Sequence, residues 1–411
     1  MSITNYSCLL CGTEYDISSV PYVCPSHGAV GSLDVCYDYD AIGQATTPED
    51  IADSKNMSMW RYLPLLPVSD AGLIPSLQVG WTPLYHAPRL GSEVGLADVW
   101  VKDDGRNPTA SFKDRASAMA VVRAQELGYE TVTTASTGNA AAALAGMAAS
   151  VGMRAVIFVP KSAPEAKIAQ LLVYGAEVYL VDGTYDDAFK LCLAATDEMG
   201  WYCRNTGYNP FMTEGKKTVS YEIAEQLGWQ APDVVVVSVG DGCIIGGVHK
   251  GFYDLKQLGW IDKMPRLIGA QAYGSDACWQ AWQSGTNELP NISATTRADS
   301  ISADFPRDGH KAVRAVRESG GAFVRVRDSQ IMAAIPELAQ GSGVFAEPAA
   351  AAAWAGTKQA FSDGLIAANE RVVVISTGSG LKDVAAAMAS VGEAQVISKD
   401  VAALRQVLRE E

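Results

Sequence analysis

The sequence lacks any apolar run close to the roughly 20 residues that a helix needs to cross a bilayer. Residues 1–6 have no basic stretch followed by an apolar one, so no secretory signal peptide is predicted. Basic residues are scarce: 32 Lys and Arg stand against 46 Asp and Glu, a net charge of −14. This balance argues against nucleic acid as a partner, because phosphate backbones require basic patches. A locally positive pocket for a small anion remains compatible with it.

These absences predict a cytoplasmic protein with neither a membrane nor a nucleic acid as partner. The length of 411 residues, 48% of them hydrophobic, predicts more than one domain with a large core. A homodimer is expected only because dimers are the commonest assembly. In a reducing compartment the eight cysteines are metal ligands or packing residues rather than disulfides.

Residues 1–48 hold four of these cysteines. Cys8 and Cys11 form one pair, and after twelve intervening residues Cys24 and His27 form a second. Three thiolates and one imidazole on two tight turns suit tetrahedral zinc, so these four residues are predicted metal ligands in a zinc-ribbon-like element. A knuckled appendage that holds no metal fits the same spacing, and both interpretations stay open.

From about residue 96, short apolar strands alternate with Ala-, Leu- and Glu-rich helices, which predicts an α/β protein with parallel sheets. Strands are predicted at 99–102, 131–134, 155–159, 177–181, 234–239, 267–271, 323–326 and 372–376. Helices are predicted at 114–127, 139–150 and 216–227, and the tail 391–411 as one short strand and one charged helix. Three regions follow: 1–48; 49–214 with a smaller α/β lobe at about 115–200; and 215–411 with the larger lobe and the tail.

The most informative segment is 107–115, NPTASFKDR, in which a proline turn leads to Lys113 at the start of a predicted helix. A buried amine at a helix start has a lowered pKa and becomes a nucleophile towards a carbonyl. The alternative is an ordinary exposed lysine after a turn.

Two further segments follow predicted strands and suit anions. Residues 135–139, ASTGN, form a strand-to-helix turn, whose free backbone N–H groups bind anions, although the same residues also serve as plain helix caps. The glycines of residues 238–247, SVGDGCIIGG, let the backbone approach a phosphate, although a Gly-rich turn with a purely structural role would have the same sequence. The dinucleotide pattern G-x-G-x-x-G fails, because Ile245 stands at its third glycine position, and no Walker lysine–hydroxyl pair is present.

Together with residues 376–383, STGSGLKD, these segments resemble the motifs of the threonine synthases, a family of pyridoxal-phosphate (PLP) enzymes. Further segments fall in the family order, at 60–62, 80–84, 165–170, 173–176, 204–207, 214–218 and 345–349. The resemblance covers roughly residues 8–385, and its order and spacing make it specific. It implies a two-lobed PLP fold type II of the α/β class with parallel-rich twisted sheets, after a small Cys-rich element.

The resemblance also implies residue roles. Lys113 would hold PLP as a Schiff base and move protons as the catalytic residue, Asn139 would contact the phenolic oxygen, and Thr377 the pyridine nitrogen. The other cofactor-binding residues would be Gly240, Asp241, Gly242, Cys243 and Ile244. The substrate-binding residues would be Ser136, Thr137, Gly138, Lys167 and Asn205. Arg204 and Lys216 are further candidates for a phosphate, with solvated cations as the alternative.

The implied reaction is that of a lyase converting O-phosphohomoserine and water to threonine and phosphate. Ala110 replaces the family's glycine, and Asp241 and Cys243 are unusual beside a dianion unless Asp241 turns away or a cation offsets it. These departures leave open a β- or γ-replacement or elimination on another phosphorylated amino acid, as in a cysteate-synthase-like paralogue.

Two alternatives of another class are a non-enzymatic PLP-fold binding protein and a redox protein. The intact Lys113 argues against the first. Against the second, the only Cys-x-x-Cys pair, Cys8 and Cys11, lies in the ribbon rather than at a strand–helix turn. The implied cofactors are PLP and, where the ribbon holds metal, zinc.

Overall fold

The computed structural model describes residues 3–18, 22–163, 165–286 and 288–410. The strands in these ranges are β1 Ile3–Cys8, β2 Glu14–Tyr15, β3 Leu33–Tyr37, β4 Leu84–His86, β5 Asp98–Asp103, β6 Thr131–Ala135, β7 Arg154–Pro160, β8 Glu177–Val181, β9 Tyr202–Cys203, β10 Val234–Ser238, β11 Arg266–Ala272, β12 Ala322–Val326 and β13 Arg371–Ser376. The helices are α1 Tyr39–Ala45, α2 Pro48–Ala52, α3 Pro88–Ser92, α4 Lys113–Glu126, α5 Asn139–Val151, α6 Glu165–Val173, α7 Tyr185–Met199, α8 Phe211–Lys216, α9 Thr218–Gln226, α10 Cys243–Gln257, α11 Ala277–Gln283, α12 Gly309–Glu318, α13 Asp328–Ser342, α14 Pro348–Ser362, α15 Val384–Ala389 and α16 Val401–Glu410.

The larger sheet has the strand order β12-β11-β10-β13-β5-β4. Its strands are parallel except for β4, which runs antiparallel to β5 at the edge. All five residues of β10 are buried, which explains its continuous valine run: helices cover both faces of such a sheet. The alanine-rich helix α14 packs against β10 and β11. The approach is so close that a Cβ on Gly356 would lie only 2.4 Å from Ala270 Cβ, so the position requires glycine.

The smaller sheet has the order β8-β7-β6-β9, and its strand pairs are parallel. Helices α5 and α7 pack against β6 and β7, so the strands between residues 131 and 203 form a second α/β layer. The predicted α/β class is confirmed. The boundaries proposed for the smaller lobe, about 115–200, remain a proposal.

Each predicted strand from 99 to 376 overlaps an observed strand, and its ends agree to within one residue. The helix predicted at 216–227 is confirmed as α9, and the separate short helix α8, whose first turn Asn209 caps at Phe211, ends just before it at Lys216. One other prediction was wrong. The strand predicted in the tail is absent: residues 391–400 are exposed and have no neighbouring strand that would satisfy their backbone groups.

The Cys-rich element is a three-stranded antiparallel sheet, β2-β1-β3, docked against the larger lobe. Lys217 Nζ lies 3.9 Å from the centre of the Tyr37 ring and pairs with Glu214 and Asp254 at 2.6 and 2.8 Å. The Tyr37 hydroxyl donates to Glu214. These contacts are buried, so the element is part of the protein's core rather than a loose appendage.

A buried ion network joins the end of β5 to α4 and α9. Arg115 Nε lies 2.6 Å from Asp104, its Nη1 donates to Glu222, and Lys102 lies 2.7 Å from Glu222. Burial alone would raise the pKa of Glu222, but the two cations outweigh it and lower this pKa to about 2. Each charge is compensated, so removal of one partner would leave the others buried without an opposite charge.

Among the described helices, none combines the length and apolarity that a membrane span needs.

We expect Glu222→Gln to lower the free energy of unfolding by about 3 kcal/mol, because it leaves Arg115 and Lys102 buried without their shared carboxylate. The measurement is urea unfolding near neutral pH. In the wild type this contribution is present above the ordinary carboxyl pKa of 4.5 and is lost as the pH falls through about 2. The control is Glu177→Gln, which breaks the exposed pair with Arg154 and should cost less than about 1 kcal/mol. Equal losses in the two variants would contradict the prediction.

Candidate active site

A cavity of about 690 Å³ lies between the two parallel sheets, where several of their strands end. Parallel strands direct their following loops to one edge, which makes that edge the usual place for a ligand. The cavity wall contains the residues assigned to cofactor or substrate and the further candidate Arg204, but not Lys216: Lys113, Ser136, Thr137, Gly138, Asn139, Lys167, Arg204, Asn205, Gly240, Asp241, Gly242, Cys243, Ile244 and Thr377. Segments far apart in the sequence are thus brought to one site.

Lys113 is the first residue of α4 and is held from both sides. Phe112 N donates to the carbonyl of Thr377 at 2.9 Å, and the Asp114 carboxylate accepts two hydrogen bonds from Thr109. Burial, followed by the nearby Arg204 cation, lowers the pKa of Lys113. A lowered pKa leaves more of the amine unprotonated, which is the form that attacks a carbonyl.

Ala110 stands at the position where the family's lysine segment has a glycine, and it adopts a backbone conformation that favours glycine. Its φ of 65° is the left-handed conformation, which costs a non-glycine residue about 1–2 kcal/mol. The carbonyl of Ala110 accepts from Ser379 N at 3.0 Å, which helps to hold this conformation. The substitution therefore places backbone strain three residues before Lys113.

The loop after β6 is positioned by Asn205. Its Oδ1 accepts from Thr134 Oγ1 and from Ala135 N, both at 2.9 Å, and its Nδ2 donates to Cys192 Sγ at 3.5 Å. Both ends of this amide are engaged with the protein. The arrangement supports a positioning role for Asn205, and a direct contact with substrate stays a prediction.

At the other end of this loop, Asn139 Nδ2 donates to Glu347 Oε1 at 2.8 Å. Glu347 is buried, and burial raises its pKa while Lys113 opposes the change. Glu347 lies in one of the segments that match the family order, but the sequence analysis predicted no role for it. Its burial near Lys113 results from tertiary packing, which a local sequence pattern cannot predict.

The glycine-rich loop leads into α10, with Gly242 at a φ of 92° before Cys243. A Cβ on Gly240 would lie 2.7 Å from Ile301 Cα, and a Cβ on Gly242 would lie 2.6 Å from the Asp308 carbonyl oxygen. The segment 301–308 therefore packs directly behind the loop. Asp241 Oδ1 accepts from the backbone N–H of Arg307 at 3.4 Å. Burial raises the pKa of Asp241, while the nearby Arg307 opposes the change.

Two cations lie buried near this loop. Arg204 Nε donates to Ser117 and its Nη1 donates to Thr206, whereas Arg204 Nη2 and Lys216 Nζ have no hydrogen-bond partner in the part of the chain that the structure describes. Burial lowers the pKa of Arg204 to about 10 and that of Lys216 to about 8. Partnerless buried cations are costly, so the arrangement suits a bound anion.

Lys167 lies at the side of the cavity and forms an ion pair with Asp299. The segment 299–307 that carries Asp299 also lines the cavity, and the sequence did not predict this. Its Ser- and Asp-rich composition indicates only a loop, and nothing in it signals a ligand.

The four predicted metal ligands meet at a second place, in the N-terminal element. One ligand atom from each of Cys8, Cys11, Cys24 and His27 lies within 4.8 Å of every other. This cluster is separate from the cavity wall.

Comparison with known proteins identifies the family. A family model described as pyridoxal-phosphate dependent enzyme matches residues 75–378. A threonine synthase of Methanocaldococcus jannaschii is 38% identical over 405 residues, which cover 98% of this chain and 99% of that protein. The chain belongs to the threonine synthase family. A threonine synthase of Synechocystis sp. is 40% identical over 324 residues, covering 78% of this chain and 82% of that protein.

Solved structures confirm the fold type II architecture. Threonine deaminase isoform 2 of Solanum lycopersicum superposes with a TM-score of 0.66 at 23% identity, over 82% of this chain and 94% of that one. At this identity the likeness supports the fold alone. Family membership makes PLP the cofactor and the protein a PLP-dependent lyase.

The cavity of this family member fits PLP. It offers the Lys113 amine for the aldehyde, the amides of residues 240–244 at the start of α10 for a phosphate, and the buried Ser238 hydroxyl, which lacks a partner among the described residues. The Arg204 cation in the cavity wall and the buried Lys216 near the loop supply positive charge.

We expect Arg204→Leu to shift the pH dependence of covalent PLP attachment to higher pH. Removing the cation raises the pKa of Lys113, so a higher pH is needed to deprotonate the amine. The measurement is the attachment rate at saturating PLP, followed by visible absorbance over a pH series. Arg154→Leu, which removes a distant surface cation, should leave the midpoint unchanged. A shared midpoint for both variants would refute the electrostatic role of Arg204.

Proposed function

We propose that this enzyme converts O-phosphohomoserine and water to threonine and phosphate. The observation that carries the proposal is the nearly full-length similarity to a protein named threonine synthase, over 98% of this chain. Supporting it, the matched lysine, phosphate-loop and threonine segments meet in one cavity with basic side chains at hand for an anionic substrate.

Lys113 is the proposed proton carrier. PLP, when bound, supplies an electron sink that eases proton removal next to the substrate amino group. The lowered pKa of Lys113 makes the amine easier to deprotonate and so better able to accept a proton, and the same group returns protons to the substrate carbon chain. The hydrogen bonds on both sides of Lys113 keep the amine aimed into the cavity.

The substrate carboxylate is proposed to bind the turn formed by Ser136, Thr137 and Gly138, at the start of α5. Asn139 and Thr377 are proposed to orient the cofactor, with the amides of residues 240–244 and the Lys216 cation on its phosphate. Thr377 offers a hydroxyl rather than a carboxylate, so it leaves a pyridine nitrogen largely unprotonated.

The substrate phosphate is proposed to bind Lys167, with Arg204 deeper in the cavity. Lys167 is about 30% exposed and already holds a carboxylate, that of Asp299, so an anion has a ready position there. A phosphorylated substrate would take the place of Asp299 on this lysine. The departures at Ala110, Asp241 and Cys243 keep a β-replacement on phosphoserine as the second candidate.

We further propose a cytoplasmic location, supported by the free thiols of all eight cysteines, which suit a reducing compartment. The homodimer stays a prediction, as do the three regions 1–48, 49–214 and 215–411.

The decisive measurement is release of inorganic phosphate from O-phosphohomoserine, with threonine identified by chromatography. We expect turnover by the wild type and a loss of at least about 10³-fold in Lys113→Ala, which removes both the covalent anchor and the proton carrier. Lys161→Ala, an exposed lysine, is the matched control and should retain activity.

Borohydride reduction followed by mass spectrometry should find the cofactor on Lys113 alone. If the PLP-loaded enzyme leaves O-phosphohomoserine unchanged but releases phosphate from phosphoserine in the presence of sulfite, the second candidate replaces the first.

A further inference from the structure

We propose that Cys8, Cys11, Cys24 and His27 bind one structural zinc ion, and that Ser32 and Asp308 transmit the order it imposes to the cofactor loop. The proposal goes beyond the reaction: it assigns a metal site and a reason for its presence in this enzyme. It is independent of which substrate the cavity accepts.

Two distances between the candidate ligand atoms are close to those of a tetrahedral site. His27 Nδ1 lies 3.3 Å from Cys24 Sγ and 3.7 Å from Cys8 Sγ. Zn–S bonds of about 2.3 Å and Zn–N bonds of about 2.0 Å at tetrahedral angles place neighbouring ligand atoms roughly 3.5–3.8 Å apart. The distances to His27 are therefore close to the edges of a zinc tetrahedron.

Two tight turns present the ligands in pairs. Gly12 N donates to the Cys8 carbonyl at 2.8 Å, and Gly28 N donates to the Cys24 carbonyl at 2.9 Å. Both glycines have left-handed φ angles, 68° and 56°. Each turn thus directs two ligand side chains to the same side, as in zinc knuckles.

The ligand set favours zinc and a structural role. Three thiolates and one imidazole are soft ligands, which hard ions such as calcium and magnesium do not prefer. Four protein ligands complete a tetrahedral shell and leave no open position for catalysis. The remaining cysteine of the element, Cys36 on β3, lies outside the cluster.

The chain that leaves the second knuckle leads directly to the active site. Cys24 N donates to the Gly31 carbonyl at 2.9 Å, and the next residue, Ser32, is buried with its hydroxyl 2.9 Å from Asp308 Oδ1. Asp308 N in turn donates to the carbonyl of Asp241 at 2.8 Å. The knuckle and the cofactor loop are therefore joined through two residues.

The following residues strengthen this link. The Leu33 carbonyl accepts from Lys311 Nζ at 2.8 Å, and Asp34 pairs with Lys311 and with Arg314 at 3.4 and 2.6 Å. Lys311 and Arg314 belong to α12, which begins directly after Asp308. The segment 32–34 thus holds the start of α12 and, with it, the wall behind the cofactor loop.

The metal adds order at the two ligand turns, because its bonds tie the Cys8–Cys11 turn to the Cys24–His27 turn. Without the ion, the second turn loses this tie, and Ser32, which follows it closely, is held less firmly against Asp308. We therefore expect loss of zinc to weaken PLP binding.

The first test is the metal content of the purified holoenzyme, measured by elemental mass spectrometry together with a thiol titration. We expect one zinc per chain, lost in Cys24→Ser and kept in Cys36→Ser. Metal-free wild type with full PLP loading would overturn the site, as would a disulfide among the three cysteines.

The second test is the PLP affinity of the apoenzyme, measured by absorbance titration without any substrate. Ser32→Ala should keep its zinc and bind PLP roughly fivefold more weakly, the size of one buried hydrogen bond. The exposed Ser26→Ala should keep both zinc and affinity. Unchanged affinity in Ser32→Ala would refute the coupling and leave only the metal site.

Should Cys24→Ser fail to fold, the same comparison is made on the wild type. A thiol-directed mercurial with a chelator removes the zinc, and Co²⁺ is then added. We expect weaker PLP binding in the stripped protein, and recovery with the visible bands of tetrahedral Co²⁺–thiolate. A stripped protein that binds PLP as tightly as the zinc form would overturn the coupling. Neither readout requires turnover, so failure of this proposal is distinct from failure of the proposed reaction.

Discussion

The Arg115 ion network is the interaction on which the active site depends. Arg115 lies two residues after Lys113, and it is anchored to Asp104 after β5 and to Glu222 on α9. Its charges are fully buried, so any movement of the first turn of α4 would expose uncompensated charge to an apolar interior. A network of opposed charges restricts the orientation of the first turn of α4 more tightly than hydrogen bonds alone would. The position of the Lys113 amine in this turn is restricted in the same way.

Around this fixed turn, the two sheets contribute loops of different character. The smaller sheet provides the Ser136–Asn139 turn, tightened by the Asn205 amide, and the larger sheet provides the glycine loop before α10. The first is proposed to bind the substrate carboxylate and the second the cofactor phosphate. An acidic protein can hold such anions because the positive charge of Arg204 and Lys216 is local rather than a property of the whole surface.

The sequence predicted the strands well because each is a short, fully buried apolar run, which is a strong signal for a parallel sheet. It singled out the segments expected to bind cofactor and substrate because their order matched a known family; the structure brings them to one cavity, and their individual roles stay a prediction. The burial of Arg204 and Lys216, the contact of Glu347 with Asn139, and the wall formed by residues 301–308 could not be predicted. These features arise only when distant segments pack together, and a lone arginine or an Asp-rich loop looks the same in a sequence whether it is solvated or buried. The tail strand failed for the same reason: its residues suit a strand, but no partner is present beside it.

The ion pair between Lys167 and Asp299 bears on substrate choice under the proposal that Lys167 binds the substrate phosphate. A ligand at this lysine would have to displace a carboxylate carried by the protein itself. A doubly charged group would do so more readily than a singly charged or neutral one, because its Coulomb attraction is larger. Amino acids without a charged side chain would then compete poorly with a phosphorylated substrate at the cavity entrance, before any bond is made or broken.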